Sequence, residues 1–269
     1  TSGHKSLRIA FMGTPDFAVE SLKILVEGGG NVVAVITAPD RPAGRGKKLQ
    51  ESSVKVFATE KGIPVLQPLK LKNPLFLEEL KNYKADLQVV VAFRMLPEVV
   101  WNMPKKGTIN LHGSLLPQYR GAAPINWAII NGETETGVST FFIEKEIDTG
   151  KIIYKEKLNI KPTDNAGIIH DQLMDLGAQL VLKTVKAIES CNYPQIDQDE
   201  FQELKLAPKI FKEDCEINWA KNSSELYNLI RGLSPYPGAW TTFEITDSDH
   251  TGALKIYETE FVSESIPTN

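Results

Sequence analysis

The chain has 269 residues, 42% of them hydrophobic and 24% charged, with 30 Lys plus Arg against 34 Asp plus Glu. That is globular composition, which excludes a disordered, collagenous or coiled-coil chain and leaves length for one large domain and a smaller one. A net charge of -4 gives no global sign of nucleic-acid binding, so any such role has to rest on a local patch.

Leu7 to Met12 (LRIAFM) is a short apolar run closed by Gly13, the pattern of a buried strand. Thr14-Pro15-Asp16 then reads as a helix start, with Thr14 as N-cap, Pro15 at the first helical position and Asp16 at the positive end of the dipole. That helix carries Ala18, Leu22 and Leu25 on one face and stops at Gly28-Gly29-Gly30, and Val32 to Thr37 is a second strand. Strand, helix and strand in so short a span form a βαβ unit, which implies a parallel sheet with right-handed crossovers.

The alternation continues. Ser53 to Lys61 and Pro74 to Asn82 read as helices, Pro64 to Leu66 as a strand, and Asp86 to Phe93 as a near-continuous apolar strand buried on both faces. Thr108 to His112 is another strand, Ile125 to Asn131 a short helix, and Val138 to Ile143 and Lys151 to Tyr154 two further strands. Ile169, Leu173, Leu176 and Leu180 mark a long amphipathic helix reaching about Ser190. The expected architecture is an open α/β domain over residues 1–203. Beyond it, Ile217 to Trp219, Trp240 to Ile245 and Leu254 to Tyr257 are short β-like runs around one helical segment, Ser224 to Leu233, which suits a smaller β-rich domain over residues 204–269.

Cys191 and Cys215 have neither Cys-x-x-Cys spacing nor the density of a disulfide framework, so a reducing compartment, the cytoplasm, is expected. No run approaches 18 uninterrupted apolar residues and Thr1 to Lys5 leads straight into a strand, so neither a membrane span nor a secretory signal is expected.

Two nucleotide-site patterns fail on inspection. Gly13 to Phe17 lacks G-x-G-x-x-G and places Pro15 where a pyrophosphate cradle needs free N–H groups; Gly44 to Lys48 lacks the earlier glycine of a phosphate-binding loop. Asn110 and His112 say more. Two apart in a strand, they present an amide and an imidazole on one face at the carboxyl end of an open sheet, where ligand crevices form. Taken alone, such a histidine is more often structural, and Asp148 in Glu144 to Gly150 is more often a turn aspartate. Asp148-Thr149-Gly150 also matches the aspartic-protease motif, but that chemistry needs two carboxylates sharing a proton; the chain offers no second such motif, although a homodimer could supply one, and an α/β sheet is the wrong setting.

The string from His112 to Pro124, His-Gly-Ser-Leu-Leu-Pro-x-x-Arg-Gly-x-x-Pro, resembles the signature of the folate-dependent formyltransferases. Asn110 before it and Asp148 after it match the Asn/His/Asp active site of that family. Gly13 to Ala18 resembles the family's opening turn, and Pro39 to Leu49 the basic insertion of members that act on initiator methionyl-tRNA. Ile217 to Trp219 and Pro235 to Trp240 resemble those members' C-terminal domain. Arg94 and Met95 stand where many relatives carry smaller or aliphatic residues.

The resemblance implies a Rossmann-like, mostly parallel sheet followed by a smaller C-terminal β-barrel, OB-like. Relatives continue past the position of Asn269, so the second domain is expected to be incomplete as given. It also implies transfer of the formyl group of 10-formyltetrahydrofolate to the α-amine of methionine on initiator tRNA. No metal is needed, and a monomer is the default expectation.

By resemblance, Asn110 and His112 would stabilise charge on the formyl oxygen while Asp148 orients the imidazole and helps remove the amine proton. Ser114, Leu115, Leu116 and Pro117, with Val91, Ala92 and Phe93 and the Glu144 to Gly150 loop, would bound the folate pocket. Arg41, Arg45, Lys47 and Lys48 would meet tRNA phosphates from a loop that Gly44 and Gly46 keep mobile. The rival readings are a sugar-nucleotide N-formyltransferase, a formyltetrahydrofolate hydrolase and a non-catalytic RNA-binding protein on the same scaffold.

The charge is unevenly spread. Residues 244–269 hold six acidic residues and Lys255, a net of -5, so the first 243 residues sum to +1. The overall acidity belongs to the end of the chain.

Overall fold

A computed structural model describes residues 6–46 and 48–262. Strands β1 (Arg8–Gly13), β2 (Asn31–Ile36), the short β3 (Arg41–Ala43) and β4 (Lys48–Gln50), and β5 (Val65–Leu66) alternate with helices α1 (Asp16–Glu27) and α2 (Ser53–Glu60). Then come α3 (Pro74–Asn82), β6 (Leu87–Val91), α4 (Glu98–Trp101), β7 (Thr108–His112), β8 (Arg120–Gly121) and α5 (Pro124–Ile130). β9 (Glu135–Phe142), β10 (Ile152–Asn159) and the long α6 (Ala166–Glu189) follow. The remainder holds β11 (Leu206–Ala207), a 3-10 turn at Lys212–Cys215, α7 (Ser223–Gly232), β12 (Ala239–Glu244) and β13 (Thr251–Ile256).

The central sheet has the order β10-β9-β7-β6-β1-β2-β5. β5, β2, β1, β6 and β7 run parallel, while β9 and β10 add an antiparallel edge. The chain winds outward from β1 in both directions, so the strand order reverses between β1 and β6 and opens a crevice at their carboxyl ends.

Side-chain parity along the central strands divides the core. Ile9, Phe11, Val89, Val91, Ile109 and Leu111 face one side, against α1 and α6. Ala10, Met12 and Val90 face the other, with Leu80 of α3 and Val100 of α4. Burying a side chain such as Phe11 contributes roughly 1.5–3 kcal/mol. α6 lies close because Gly177 leaves no room beyond Leu111: a Cβ there would stand 2.7 Å from Leu111 Cδ2.

Several local expectations are corrected. The N-cap of α1 is Pro15, not Thr14; the Thr14 hydroxyl accepts instead from the Ala38 amide at 3.3 Å, tying the first turn to the segment after β2. The basic segment expected as a mobile loop forms a hairpin, β3 paired with β4, with Gly44 and Gly46 at positive φ between them. Ile217 to Trp219 is not a strand: it makes an isolated bridge at Glu216 with Trp240, and the Ile217 amide donates to the Trp240 carbonyl at 2.8 Å.

Among the described residues the C-terminal part contributes α7 and the antiparallel pair β12–β13, with a small core of Cys215, Ile217, Ile230, Leu233 and Ala239. α7 packs on α5, where Asn126 Nδ2 donates to the Gly232 carbonyl at 2.9 Å. Arg231 donates to the Asp164 carbonyl at 2.9 Å and Tyr227 to that of Pro162 at 2.7 Å. No helix among the described residues is long and apolar enough to cross a membrane.

Candidate functional site

A cavity of about 510 Å³ opens at the strand-order reversal. The residues following β1 (Pro15, Phe17), those following β6 (Ala92 to Leu96) and the end of β7 form its walls, with Pro124 and Ile125 of α5 and the loop from Ile143 to Asp148 closing it. Its volume is that of a pocket for a medium-sized organic ligand, and its walls are mostly apolar.

Asn110 and His112 reach it because they share one face of β7, while Ile109 and Leu111 turn into the α1/α6 core. His112 is buried, and its Nε2 lies 2.8 Å from the Tyr119 carbonyl. A carbonyl only accepts, so Nε2 carries the proton. Nδ1 then faces the Asp148 carboxylate, with 3.8 Å to Oδ2, at ion-pair rather than hydrogen-bond range.

The Asp148 side chain is only 9% exposed, and its Oδ2 accepts from the Gly121 amide at 2.9 Å. Asn110, half-buried, lines the cavity, and no side-chain hydrogen bond ties its amide to another described residue. Three non-glycine residues here hold left-handed backbone: Ala92 (φ 49), Tyr119 (φ 59) and Asp148 (φ 57). Such conformations cost about 1–3 kcal/mol each and gather where a site is held rigid.

Tyr119 braces this arrangement from behind. Its hydroxyl donates to Glu133 at 2.9 Å and accepts from Asn131 at 3.2 Å, and Lys205 pairs with the same Glu133. Burial, with Glu133 beside it, pushes the Tyr119 phenol well above its usual value, so it remains a donor throughout the working pH range.

The expected pocket residues divide. Ala92 and Phe93 line the cavity, as does the loop from Glu144 to Asp148. Val91 does not: its side chain belongs to the α1/α6 core, and its neighbour Val90 faces the cavity. Ser114 to Pro117 are also turned away from it. Ser114 and Leu116 are fully buried, the Leu116 amide donates to Ser139 Oγ at 3.1 Å, and Ser139 donates to the Ser114 carbonyl at 2.7 Å. Leu116 packs with Phe141 and Ile152, so this stretch of the signature supports β9 from behind.

Residues not expected at the pocket also line the cavity: Phe17 of the opening turn, Leu96, and His170 at the start of α6. His170 packs its ring on Phe17 with centroids 5.3 Å apart and bonds Asp171 at 3.0 Å. Its position four residues into a helix facing the first βα turn was the only available signal.

Of the basic residues, Arg41, Arg45 and Lys48 are exposed on the β3–β4 hairpin, and Lys47 lies outside the described residues. The hairpin's base is pinned. Asp40 accepts from Lys55 at 2.8 Å and from Gln67 at 2.8 Å, and Gln67 also donates to the Ala38 carbonyl at 3.0 Å. The Lys55 ammonium, then the Gln67 amide, hold the Asp40 carboxyl below its usual value, and Asp40 in turn raises Lys55. Arg94 at the cavity mouth turns its guanidinium onto the Pro68 and Leu69 carbonyls. Burial of that guanidinium, then the Arg41 charge, lower its pKa.

Comparison with known proteins matches this geometry to one lineage. The family model described as formyl transferase matches residues 7–185, and that of the formyl transferase C-terminal domain matches residues 209–268. A methionyl-tRNA formyltransferase of Bacteroides thetaiotaomicron is 57% identical over 97% of this chain and 82% of its own length. Another from Parabacteroides distasonis is 60% identical over 95% of this chain and 80% of its own. Among solved structures, the N-formyltransferase of Helicobacter canadensis in complex with folinic acid and dTDP-3-aminofucose superposes with a TM-score of 0.65 at 25% identity, covering 84% of this chain and 80% of that one. Two successive matches over most of the length, relatives well above half identical and a shared fold agree: the chain belongs to the formyl transferase family.

Proposed function

We propose that the chain transfers the formyl group of 10-formyltetrahydrofolate to the α-amine of methionine on initiator tRNA, as an enzyme of translation initiation. The observation that carries this reading is the Asn110, His112 and Asp148 set at an apolar cavity, beside an exposed basic hairpin, in a chain 57–60% identical to methionyl-tRNA formyltransferases. The hairpin favours a nucleic-acid acceptor over an amino-sugar nucleotide. We read residues 1–203 as the catalytic domain and 204–269 as the tRNA-binding one; the break between the two family matches supports this division.

The amine attacks the formyl carbon, a C–N bond forms and charge develops on the formyl oxygen. Asn110 donates to that oxygen; a donor so placed is worth ~3–4 kcal/mol. His112 keeps its Nε2 proton on Tyr119, so the neutral ring has no proton left for the formyl oxygen, the role the resemblance implied; Nδ1 is instead the nitrogen available to take the proton the amine loses. The Asp148 carboxylate at 3.8 Å favours the resulting imidazolium. The bond from the formyl carbon to N10 of the folate then breaks, and the same proton passes to N10. The products are formyl-methionyl-tRNA and tetrahydrofolate.

The test offers 10-formyltetrahydrofolate to the chain with charged initiator tRNA, with an amino-sugar nucleotide, and alone. Formylated methionyl-tRNA as the main product supports the reading. Formylation of the sugar, or release of formate alone, replaces it. Asn110→Ala, His112→Ala and Asp148→Ala are each expected to lower kcat by ~10²–10³-fold with folate binding retained. An Asp148→Ala enzyme at the parental rate sinks the assigned roles.

A further inference from the structure

We propose that Gln198 is a positioning residue for formyl transfer: its side-chain amide holds Asp148 in its left-handed conformation and locks it to the loop that binds its carboxylate. The proposal rests on the reading of Asp148 as a reacting group. Gln198 Nε2 donates to two main-chain carbonyls, Asp148 at 2.7 Å and Gly150 at 2.8 Å. Its Oε1 accepts twice from Arg120, at 2.8 and 3.2 Å. Arg120 precedes Gly121, whose amide donates to the Asp148 carboxylate. The bonds therefore close a ring from Asp148 Oδ2 through Gly121, Arg120 and Gln198 back to the Asp148 main chain. An amide suits this node, because it donates from Nε2 and accepts at Oε1 with no change of protonation.

Gln198 lies in residues 186–208, between the two family matches and covered by neither. That segment is nonetheless woven through the site. Ile196 and Ile152 exchange main-chain bonds at 2.8 and 2.9 Å, and the Tyr119 amide, next to the carbonyl that holds His112, donates to Lys205 at 2.6 Å. β11 pairs in parallel with β8, the strand that carries Arg120 and Gly121. The stretch joining the two matched regions thus braces the reaction centre from outside the cavity, through the residues that carry it.

The test is steady-state formyl transfer to charged initiator tRNA with the full chain. Gln198→Glu keeps the acceptor for Arg120 but places a carboxylate against two carbonyls; Gln198→Leu removes both functions. Each is expected to lower kcat by about 10- to 100-fold, with KM for both substrates within about twofold of the parent, because misplacement acts on the reacting geometry. In an Asp148→Asn background, Gln198→Leu is expected to change kcat by less than about twofold, since the group it positions is already gone. Parental kcat in both single variants, a rise in KM alone, or an equal effect in the Asp148→Asn background overturns the proposal while Asp148→Asn alone stays slow. Parental activity of Asp148→Asn alone overturns the catalytic reading, and this inference with it.

Discussion

The bond from His112 Nε2 to the Tyr119 carbonyl decides which ring nitrogen is left for chemistry. Sequence spacing alone puts the imidazole beside the amide of Asn110 but says nothing of its tautomer. The structure supplies this through Tyr119, whose left-handed backbone turns its carbonyl back onto β7. Nitrogen NMR of the ring is accordingly expected to find Nε2 protonated and Nδ1 bare in the neutral form; the opposite tautomer removes Nδ1 as proton acceptor. Val91 shows the limit of parity arguments at this scale. In an alternating strand the cavity-facing residue can be read off, but Leu87 to Val91 is apolar at every position but one, and that one, Gln88, is itself buried. Nothing in such a run says whether Val90 or Val91 faces the ligand.

At the scale of elements, the β3–β4 hairpin gathers its charge on a platform fixed at the base by Asp40, Lys55 and Gln67. Neutralising Arg41 and Arg45 is expected to raise KM for tRNA and to flatten its dependence on salt by about 1 log–log unit for each phosphate the hairpin no longer neutralises. An unchanged slope removes the hairpin from the tRNA interface.

The platform also carries a pH expectation. Asp40 is depressed by Lys55, so its contribution holds above the ordinary carboxylate range and is lost only as pH falls through the lowered value. Lys55 is raised, so its contribution holds below the ordinary lysine value and is lost as pH rises through the raised one. Salt slopes measured at about pH 6 and about pH 9 should therefore agree. A difference between them means the base is not held by this pair.

Elements with a strong period were legible in the sequence: α3 and β7 have the expected bounds, and α6 begins only a turn earlier than its apolar marks. The hairpin was hidden because most of its residues are charged, Gly or Pro, and its strands, Arg41–Ala43 and Lys48–Gln50, are too short for an alternation to mark them. β8 and β11 were hidden because two-residue strands are specified by the partner that crosses them and not by their own sequence.

At the scale of the molecule, α5 serves two sides at once. Its start lines the cavity, its Asn126 and Ile130 receive α7, and its Trp127 donates to the Pro208 carbonyl at 2.8 Å. The joint at α7 is tight: a Cβ on Gly232 would stand 2.6 Å from Ile130 Cγ1 and 3.0 Å from the Ile130 amide nitrogen. Gly232→Ala is expected to destabilise the fold by about 1–3 kcal/mol, read as a melting midpoint lowered by about 2–4 °C per kcal/mol. An unshifted midpoint means α7 can slide on α5 without cost. Of the candidate site, strand parity put Asn110 and His112 on one face of β7, but only the family resemblance joined Asp148 to them, since alone it reads as a turn aspartate. The brace of Tyr119, Glu133 and Lys205, and the Gln198 node, depend on segments far apart in the chain, and no local pattern announces them.

The antiparallel margin of the sheet has a consequence for how the protein behaves in a crowd of its own copies. β10 is an outermost strand, and an unpaired row of main-chain donors and acceptors is a template for another chain. Here Ile152 is already covered by Ile196, and the strand continues as Tyr154-Lys155-Glu156-Lys157, with Lys155 to Lys157 exposed. At the opposite margin β5 offers only two residues. Both borders are thus too short or too charged to recruit a neighbour's strand, and the same connecting segment that steadies the reaction centre helps keep the sheet from growing.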